Sequence, residues 1–454
     1  MTEIFRAYDI RGSYPGELDE AMAGKIGCAF ARMLGGSNIV IGRDARLSSP
    51  ALARAFAGGY AAAGGSVTDI GRVSTPLLYY SIIEGKFGGG VMVTASHLSG
   101  EMNGFKLCRN NAVPLSGDTG LPELERITRS LPPTQLATSL SVPPEKTGMT
   151  EKYLAKLAGF VQGQQPLKIA VDAGDGMAGP EVGKLFDRLS LWNLIPLNIE
   201  PDGEFPHHGA NPFAHDAARE LENRVPAESA DLGVAFDGDA DRCLFVDEQG
   251  RQVPPDIATA LIAEFFLAKE PGARILYDLR SSRVVAETIR RLGGTGTRCR
   301  VGHAFIKAQM REEGALFAGE LSGHYYFRDL GYIDCGLMAM IAMANVLSMK
   351  GEPLSSLVRP LMKYHSSGEL NLKVSRKDAI VASLAAAYKD AKTDRLDGLT
   401  IEYDTWWFNL RPSNTEPVIR LNIEADSEAL MKQKKDEVLG LMHDADASMR
   451  LKSD

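Results

Sequence analysis

Long apolar runs, paired cysteines and excess positive charge are what this chain lacks, and each absence closes a class of function. Its longest apolar stretches, near 257–268 and 337–349, fall short of the roughly 18 residues a bilayer span needs and are expected to form core helices. The five cysteines, Cys28, Cys108, Cys243, Cys299 and Cys335, are odd in number, far apart and free of any CxxC pattern. That argues against a disulfide framework or a cysteine zinc site and fits unpaired thiols in a reducing compartment. Lys and Arg number 50 against 58 Asp and Glu, and a net charge of -8 speaks against a nucleic-acid surface. A small anionic ligand is still allowed, because local cations decide that. The opening residues, MTEIFRAYDIRG, show no basic-then-apolar leader pattern, so a cytoplasmic protein without membrane or nucleic-acid partners is expected.

What remains is a globular composition, 44% hydrophobic and 24% charged, with length for about three domains. A pattern of strand, acidic residue, small-residue turn and helix recurs at 38–49 (NIVIGRDARLSS), 167–180 (LKIAVDAGDGMAGP) and 273–284 (ARILYDLRSSRV). Its leading aspartates are Asp44, Asp172 and Asp278. The recurrence predicts three related α/β domains, each a mixed sheet flanked by helices. Residues 5–12, FRAYDIRG, read as a short strand, and 18–34 as a helix. Ser48-Ser49-Pro50 and Ser74-Thr75-Pro76 read as helix openings. A Pro-rich stretch at 131–144 reads as a linker, with further boundaries expected near 251–255 and 364–368. The last ~90 residues change character, to a β-rich segment at 399–422 and an amphipathic helix. The expected domains are 1–147, 148–252, 253–365 and 366–454, the last a smaller α+β unit.

Six stretches carry candidate chemistry. VMVTASHLSGEMNGFKL (91–107) reads as a buried strand running into a loop with Ser96 and His97, and Lys106 farther on. The serine suits a charged group there, or merely caps a turn. FRAYDIRG offers Arg11. In DLGVAFDGDADRCLFVD (231–247), Asp237, Asp239 and Asp241 alternate with Gly238 and Ala240. An extended, exposed loop of that spacing turns three carboxylates to one side, a hard-oxygen site suited to magnesium. A calcium EF-hand does not fit, because Arg242 stands where its sixth-place glycine belongs and the flanks read as strands. GHAFIKAQMREE (302–313) opens a helix with His303 and Lys307, which taken singly read as exposed helix residues. GELSGHYYF (319–327) packs Glu320, Ser322 and His324 into a tight loop; the first two suit sugar hydroxyls and the imidazole suits proton transfer near neutral pH. LRPSNTEPVIR (410–420) gathers Arg411, Ser413, Asn414 and Thr415, as a phosphate cradle or an ordinary turn.

Together, AYDIRG, TASH with NGFKL, DGDADR, GELSGH and RPSNTEP, in that order, resemble the α-D-phosphohexomutase superfamily, most closely its bacterial phosphomannomutase branch. The resemblance runs from Ala7 to Arg420. It implies three α/β domains and a smaller fourth around one deep cleft. It makes Ser96 the phosphorylated serine and gives one magnesium ion to Asp237, Asp239, Asp241 and a phosphate oxygen on Ser96. It places Glu320, Ser322 and His324 on the sugar, helped by His303, and Arg411, Ser413, Asn414 and Thr415 on the phosphate that does not react. Tyr8, Arg11, His97, Lys106, Arg242 and Arg280 would complete a cationic cleft.

The implied chemistry is phosphoryl transfer from phosphoserine to a hexose monophosphate, turnaround of the bound bisphosphate, and return of its other phosphate to Ser96. Hexose bisphosphate is then an activator, hexose phosphates are the small-molecule partners, and the protein is a monomer or homodimer. His324 and Lys106 both stand as candidates for taking the sugar proton. Three places depart from the family pattern. Leu98-Ser99 replaces a frequent Asn-Pro, which leaves the shape of the loop after Ser96 open. Leu321 stands where phosphomannomutases usually have Met and glucosamine-phosphate mutases Gln, and as the relative of Met in volume it favours mannose or glucose. Arg280 stands where relatives often have Lys. The expectation is interconversion of mannose 6-phosphate and mannose 1-phosphate, with glucose phosphates as further substrates. The alternatives are a phosphoglucosamine mutase, a phosphatase, or a non-catalytic sugar-phosphate-binding protein.

Overall fold

The computed structural model describes residues 4–132, 148–412 and 418–451. Three five-stranded sheets in succession share one plan. In the first, Ser66–Arg72, Asn38–Arg43 and Gly89–Val93 lie parallel, and Met102–Arg109 and Ile10–Ser13 continue the sheet antiparallel. The second repeats this with Trp192–Leu197, Leu167–Asp172 and Leu232–Phe236 parallel, then Cys243–Val246 and Gln252–Val253. The third has Thr295–Cys299, Arg274–Asp278 and Phe317–Gly319 parallel, then Tyr325–Phe327 and Ile333–Asp334.

Three candidate loops therefore occupy one topological position. The serine loop, the aspartate loop and the Glu320–His324 loop each join the last parallel strand to its antiparallel neighbour. They leave the carboxyl ends of parallel strands, where open α/β sheets bind ligands. The recurring aspartates also share a local cause. Asp44, Asp172 and Asp278 each accept, through Oδ1, the backbone N–H two residues on, from Arg46 (3.1 Å), Gly174 (2.9 Å) and Arg280 (2.8 Å). Each closes a turn with its own carboxylate, as Asp does in preference to extending a strand.

A fourth, six-stranded sheet is antiparallel throughout and carries helices Lys377–Ala387 and Glu428–Ala445. Its core, with Leu372, Trp406, Phe408 and Val438, is separate, whereas one apolar cluster runs through the first three sheets. Helix Gly336–Lys350 is buried continuously from Gly336 to Leu347, so this largely apolar stretch needs no polar face, and its buried Asn345 bonds Phe160 O and the N–H groups of Gln162 and Gly163. The fourth domain meets the third through polar links: Arg298 with Glu402 (3.2 Å), Val301 N–H to Asp397 (3.2 Å) and Arg283 N–H to Glu424 (3.1 Å). Four domains, three α/β/α and one smaller C-terminal unit, make up the chain.

The strand expected over 5–12 begins later, at Ile10–Ser13, because Arg6 N–H donates to Asp9 O and folds the intervening residues into a turn. Ser74 caps its helix through Leu77 N–H, whereas Ser48 makes no such bond and its hydroxyl accepts from Asn103 instead. Residues 133–144 of the Pro-rich linker expected at 131–144 lie outside the described residues. Among the described residues no helix is long and apolar enough to cross a membrane.

Candidate functional site

Ser96 follows strand Gly89–Val93 with φ 53 and is 2% exposed. A left-handed serine is strained by about 1–3 kcal/mol and persists where its surroundings hold it. Arg46 does so. Its Nη2 donates to Ser96 O (2.8 Å) and Leu98 O (2.7 Å), and its Nη1 to Met102 O (3.0 Å) and to Ser99 O. Its Nε pairs with Asp44 (3.0 Å), and the guanidinium lies over the Phe205 ring. The loop is gripped by its backbone carbonyls, so Leu98-Ser99 is compatible with a defined shape. Sequence reasoning passed over Arg46; the available signal was the Asp-x-Arg spacing it shares with Asp278 and Arg280.

Ser96 Oγ donates to Asp237 Oδ2 (2.9 Å), which also accepts from Arg242 Nε (2.9 Å). Lys106 Nζ donates to Asp239 Oδ2 (2.7 Å) and to Asp241 Oδ2. Each of the three aspartates offers an oxygen within 4.8 Å of the others, and all are buried. The expectation of an extended, exposed loop is corrected here. The carboxylates converge through a tight turn with Ala240 at φ 63, and the cations of Lys106 and Arg242 make their burial tolerable.

Burial, then the neighbouring Asp241, pushes Asp237 up to about 7. Asp241 lies well below the usual range, because Lys106 and His324 outweigh its burial. Asp239 Oδ1 is buried and accepts no hydrogen bond among the described residues, and Asp241 Oδ1 has His324 Nε2 at 3.4 Å. Converging buried oxygens with spare lone pairs fit a hard divalent cation.

His324 Nδ1 meets Ser322 Oγ (2.8 Å) and Glu320 Oε2 (3.4 Å). Burial favours the neutral ring, but Asp241 and Glu320 outweigh it and push the imidazole up to about 9. These two carboxylates favour the protonated ring. Glu320 is held below the carboxylate range, its burial outweighed by His324 and Arg280, and it accepts from Tyr326 OH (2.8 Å).

His303 is the opposite case. Burial and Lys307 hold it well below the usual value, and neither ring nitrogen has a hydrogen bond among the described residues. Tyr8 packs edge-on to His303 and donates to Val301 O (3.0 Å), over Gly302 at φ 123, where a Cβ would come within 2.6 Å of its ring. His97 Nδ1 lies 3.3 Å from Ser96 Oγ, and burial keeps that ring neutral as well. Lys307 is not the exposed residue its sequence suggests. It is buried, 2.8 Å from Asp334 and over the Tyr79 ring.

Arg11 pairs with Asp9 (2.7 Å). Arg280 is anchored on Asp278 and reaches Glu369 (2.9 Å), which also takes Arg411 (3.3 Å) and Arg420 (3.3 Å). One carboxylate thus joins guanidinium groups of the third and fourth domains, a residue that sequence reasoning missed. Ser413, Asn414 and Thr415 lie outside the described residues.

Comparison with known proteins identifies the family. The alpha/beta/alpha domains I, II and III of phosphoglucomutase/phosphomannomutase match residues 2–133, 151–250 and 254–364, and the C-terminal domain matches 369–441. A phosphomannomutase of Escherichia coli is 38% identical over 457 residues, covering 97% of this chain and 100% of its own. The structure of a phosphoglucomutase/phosphomannomutase family protein from Burkholderia thailandensis is 34% identical, with TM-score 0.88 over 98% of this chain and 97% of that one. Aspergillus fumigatus N-acetylphosphoglucosamine mutase, solved in complex with GlcNAc-6P and magnesium, shares the fold at TM-score 0.64 and 16% identity, over 97% and 96% of the two chains. The chain is a phosphohexomutase, an isomerase, and belongs to the phosphoglucomutase/phosphomannomutase family.

Proposed function

We propose that this enzyme is a cytoplasmic phosphomannomutase that interconverts mannose 6-phosphate and mannose 1-phosphate and also accepts glucose phosphates. The observation that carries the reading is the contact of Ser96 Oγ with Asp237 inside the buried cluster that also holds Lys106. Ser96 carries the phosphoryl group. Its Oγ–P bond breaks as a sugar hydroxyl oxygen bonds to phosphorus and loses its proton, giving a bound hexose bisphosphate. The intermediate turns around and its other phosphate returns to Ser96, so added hexose bisphosphate activates the enzyme.

Asp237, Asp239 and Asp241, with a phosphate oxygen on Ser96, would hold one magnesium ion, which when bound supplies positive charge to the transferring group. Lys106, Arg11 and Arg242 add fixed positive charge, and His97 borders the serine. Glu320, Ser322, His324, His303 and Tyr8 bind the sugar. Arg280 and Arg411, with Ser413, Asn414 and Thr415, bind the distal phosphate. His324 and Lys106 are the candidates for taking the sugar proton; because their carboxylate partners favour the charged form of both, either takes it only in its deprotonated form. Volume at Leu321 favours mannose and glucose over glucosamine.

The test is turnover of mannose, glucose and glucosamine phosphates by the purified protein with a trace of hexose bisphosphate, alongside intact-mass analysis of wild type and Ser96→Ala. Mannose phosphates should turn over fastest, and wild type alone should carry a phosphate. An unphosphorylated wild type with a fully active Ser96→Ala variant would sink the mechanism, and preference for glucosamine phosphate would sink the substrate.

A further inference from the structure

We propose that Thr75 aims Asp239 at the metal ion, so that a residue of the first domain sets the metal affinity of a loop in the second. The inference rests on reading the three aspartates as a metal site. Thr75 opens helix Thr75–Glu84 and is fully buried. Its Oγ1 donates to Asp239 Oδ2 at 2.6 Å, and its N–H donates to the backbone carbonyl of the same aspartate at 3.0 Å. Lys106 Nζ donates to that Oδ2 as well, at 2.7 Å. One carboxylate oxygen thus takes two donors, and the other, Oδ1, is left buried without a hydrogen bond among the described residues.

A carboxylate with both oxygens free swings about its Cβ–Cγ bond. One committed at Oδ2 presents Oδ1 in a fixed direction, which is how residues behind a ligand tune a metal site. Lys106 alone does not fix this direction, because its ammonium is shared with Asp241.

Thr75 is itself held from the second domain. Glu181 accepts from Ser74 N–H (3.0 Å) and from Ser74 Oγ (2.9 Å), and Ser74 caps the helix on Leu77 N–H. The dipeptide Ser74-Thr75 is clasped by two acids of the neighbouring domain, one buried beside the helix and one in the aspartate loop. Thr75 touches neither substrate nor ion in this scheme; it is a positioning residue.

The experiment is calorimetric titration of the purified full-length protein with magnesium ion, for wild type, Thr75→Val, Thr75→Ser and Ser74→Ala, with thermal unfolding of each. Thr75→Val keeps the shape and removes the hydroxyl, and it should weaken magnesium binding roughly ten- to hundredfold. Thr75→Ser restores the donor and should bind within about twofold of wild type. Ser74→Ala should unfold at lower temperature yet keep its magnesium affinity. If Thr75→Val does not fold, Thr75→Ala against Thr75→Ser makes the same comparison.

Wild-type affinity in the hydroxyl-free variant, or equal weakening by Ser74→Ala, would overturn the inference and leave the metal site standing. Absence of magnesium binding by wild type would overturn the metal site, and this inference with it.

Discussion

Arg46 Nη2 donates to the carbonyl oxygen of Ser96 at 2.8 Å, from a guanidinium with no exposed surface. The nucleophile candidate is thus held from behind, by its backbone, leaving its hydroxyl for the aspartates. Arg46→Lys substitutes one ammonium for a planar fork and cannot serve carbonyls in several directions at once. Buried carbonyls would be left unsatisfied and Asp44 poorly paired. Stability should fall by about 3–5 kcal/mol, and less Ser96 should be found phosphorylated. Urea unfolding and intact mass check this; a change below about 1 kcal/mol would remove Arg46 from that role.

Arg411 shares Glu369 with Arg280 across the seam between third and fourth domains. Charge-assisted hydrogen bonds from Arg411 to the distal phosphate would contribute about 1.5–3 kcal/mol, so Arg411→Ala should lower kcat/KM roughly ten- to a hundredfold. The bisphosphate should also escape more often during its turnaround, leaving unphosphorylated enzyme behind. Sustained turnover by the variant should therefore need more added hexose bisphosphate than wild type. An equal requirement with near-normal kcat/KM would reject the clamp.

Leu321 is half-buried, and its backbone N–H is fixed to Asp278 Oδ2 at 3.2 Å, so a change of side chain should leave the loop in place. Leu321→Gln should move relative kcat/KM toward glucosamine phosphate by an amount worth about 1–3 kcal/mol at most. Competition assays with paired sugar phosphates read the ratio. If it does not move, substrate choice resides elsewhere in the cleft.

Burial pushes the Glu181 carboxyl up to about 7, against two hydrogen bonds from Ser74. The folded protein then holds this proton more tightly than the unfolded chain, whose carboxyl titrates near 4.5. The associated stability is complete below that value and is lost as pH rises through about 7. Between pH 5 and pH 8 wild type should lose about 2.5 kcal/mol through this group, and Glu181→Gln should not. Denaturant unfolding at the two pH values decides; parallel behaviour of the two proteins contradicts it.

The serine, aspartate and Glu320–His324 loops were readable because each gathers its chemistry into a few consecutive residues after a strand. The three-fold α/β repeat was readable because each copy opens with an aspartate that closes its own turn. Partnerships made across the fold left no local trace. Thr75 and Asp239 are 164 residues apart, and Ser74 and Glu181 are 107 apart. Composition also misled about burial: DGDADR looks like a solvated loop, and Lys307 like a surface lysine, until the opposite charges supplied by distant residues are in place. The start of the first strand was misjudged for a smaller reason, a backbone turn at 6–9 that apolar patterning does not register.

The lysine that neutralises two of the aspartates lies 133 and 135 residues before them in the chain. As the protein is synthesised, the first sheet emerges with that cation unmatched, and its counter-charges arrive only when the second sheet is nearly complete. Burial of Lys106 therefore waits on the docking of the two domains. Until then water solvates its ammonium, and the nascent site holds positive charge ahead of the acids that will balance it.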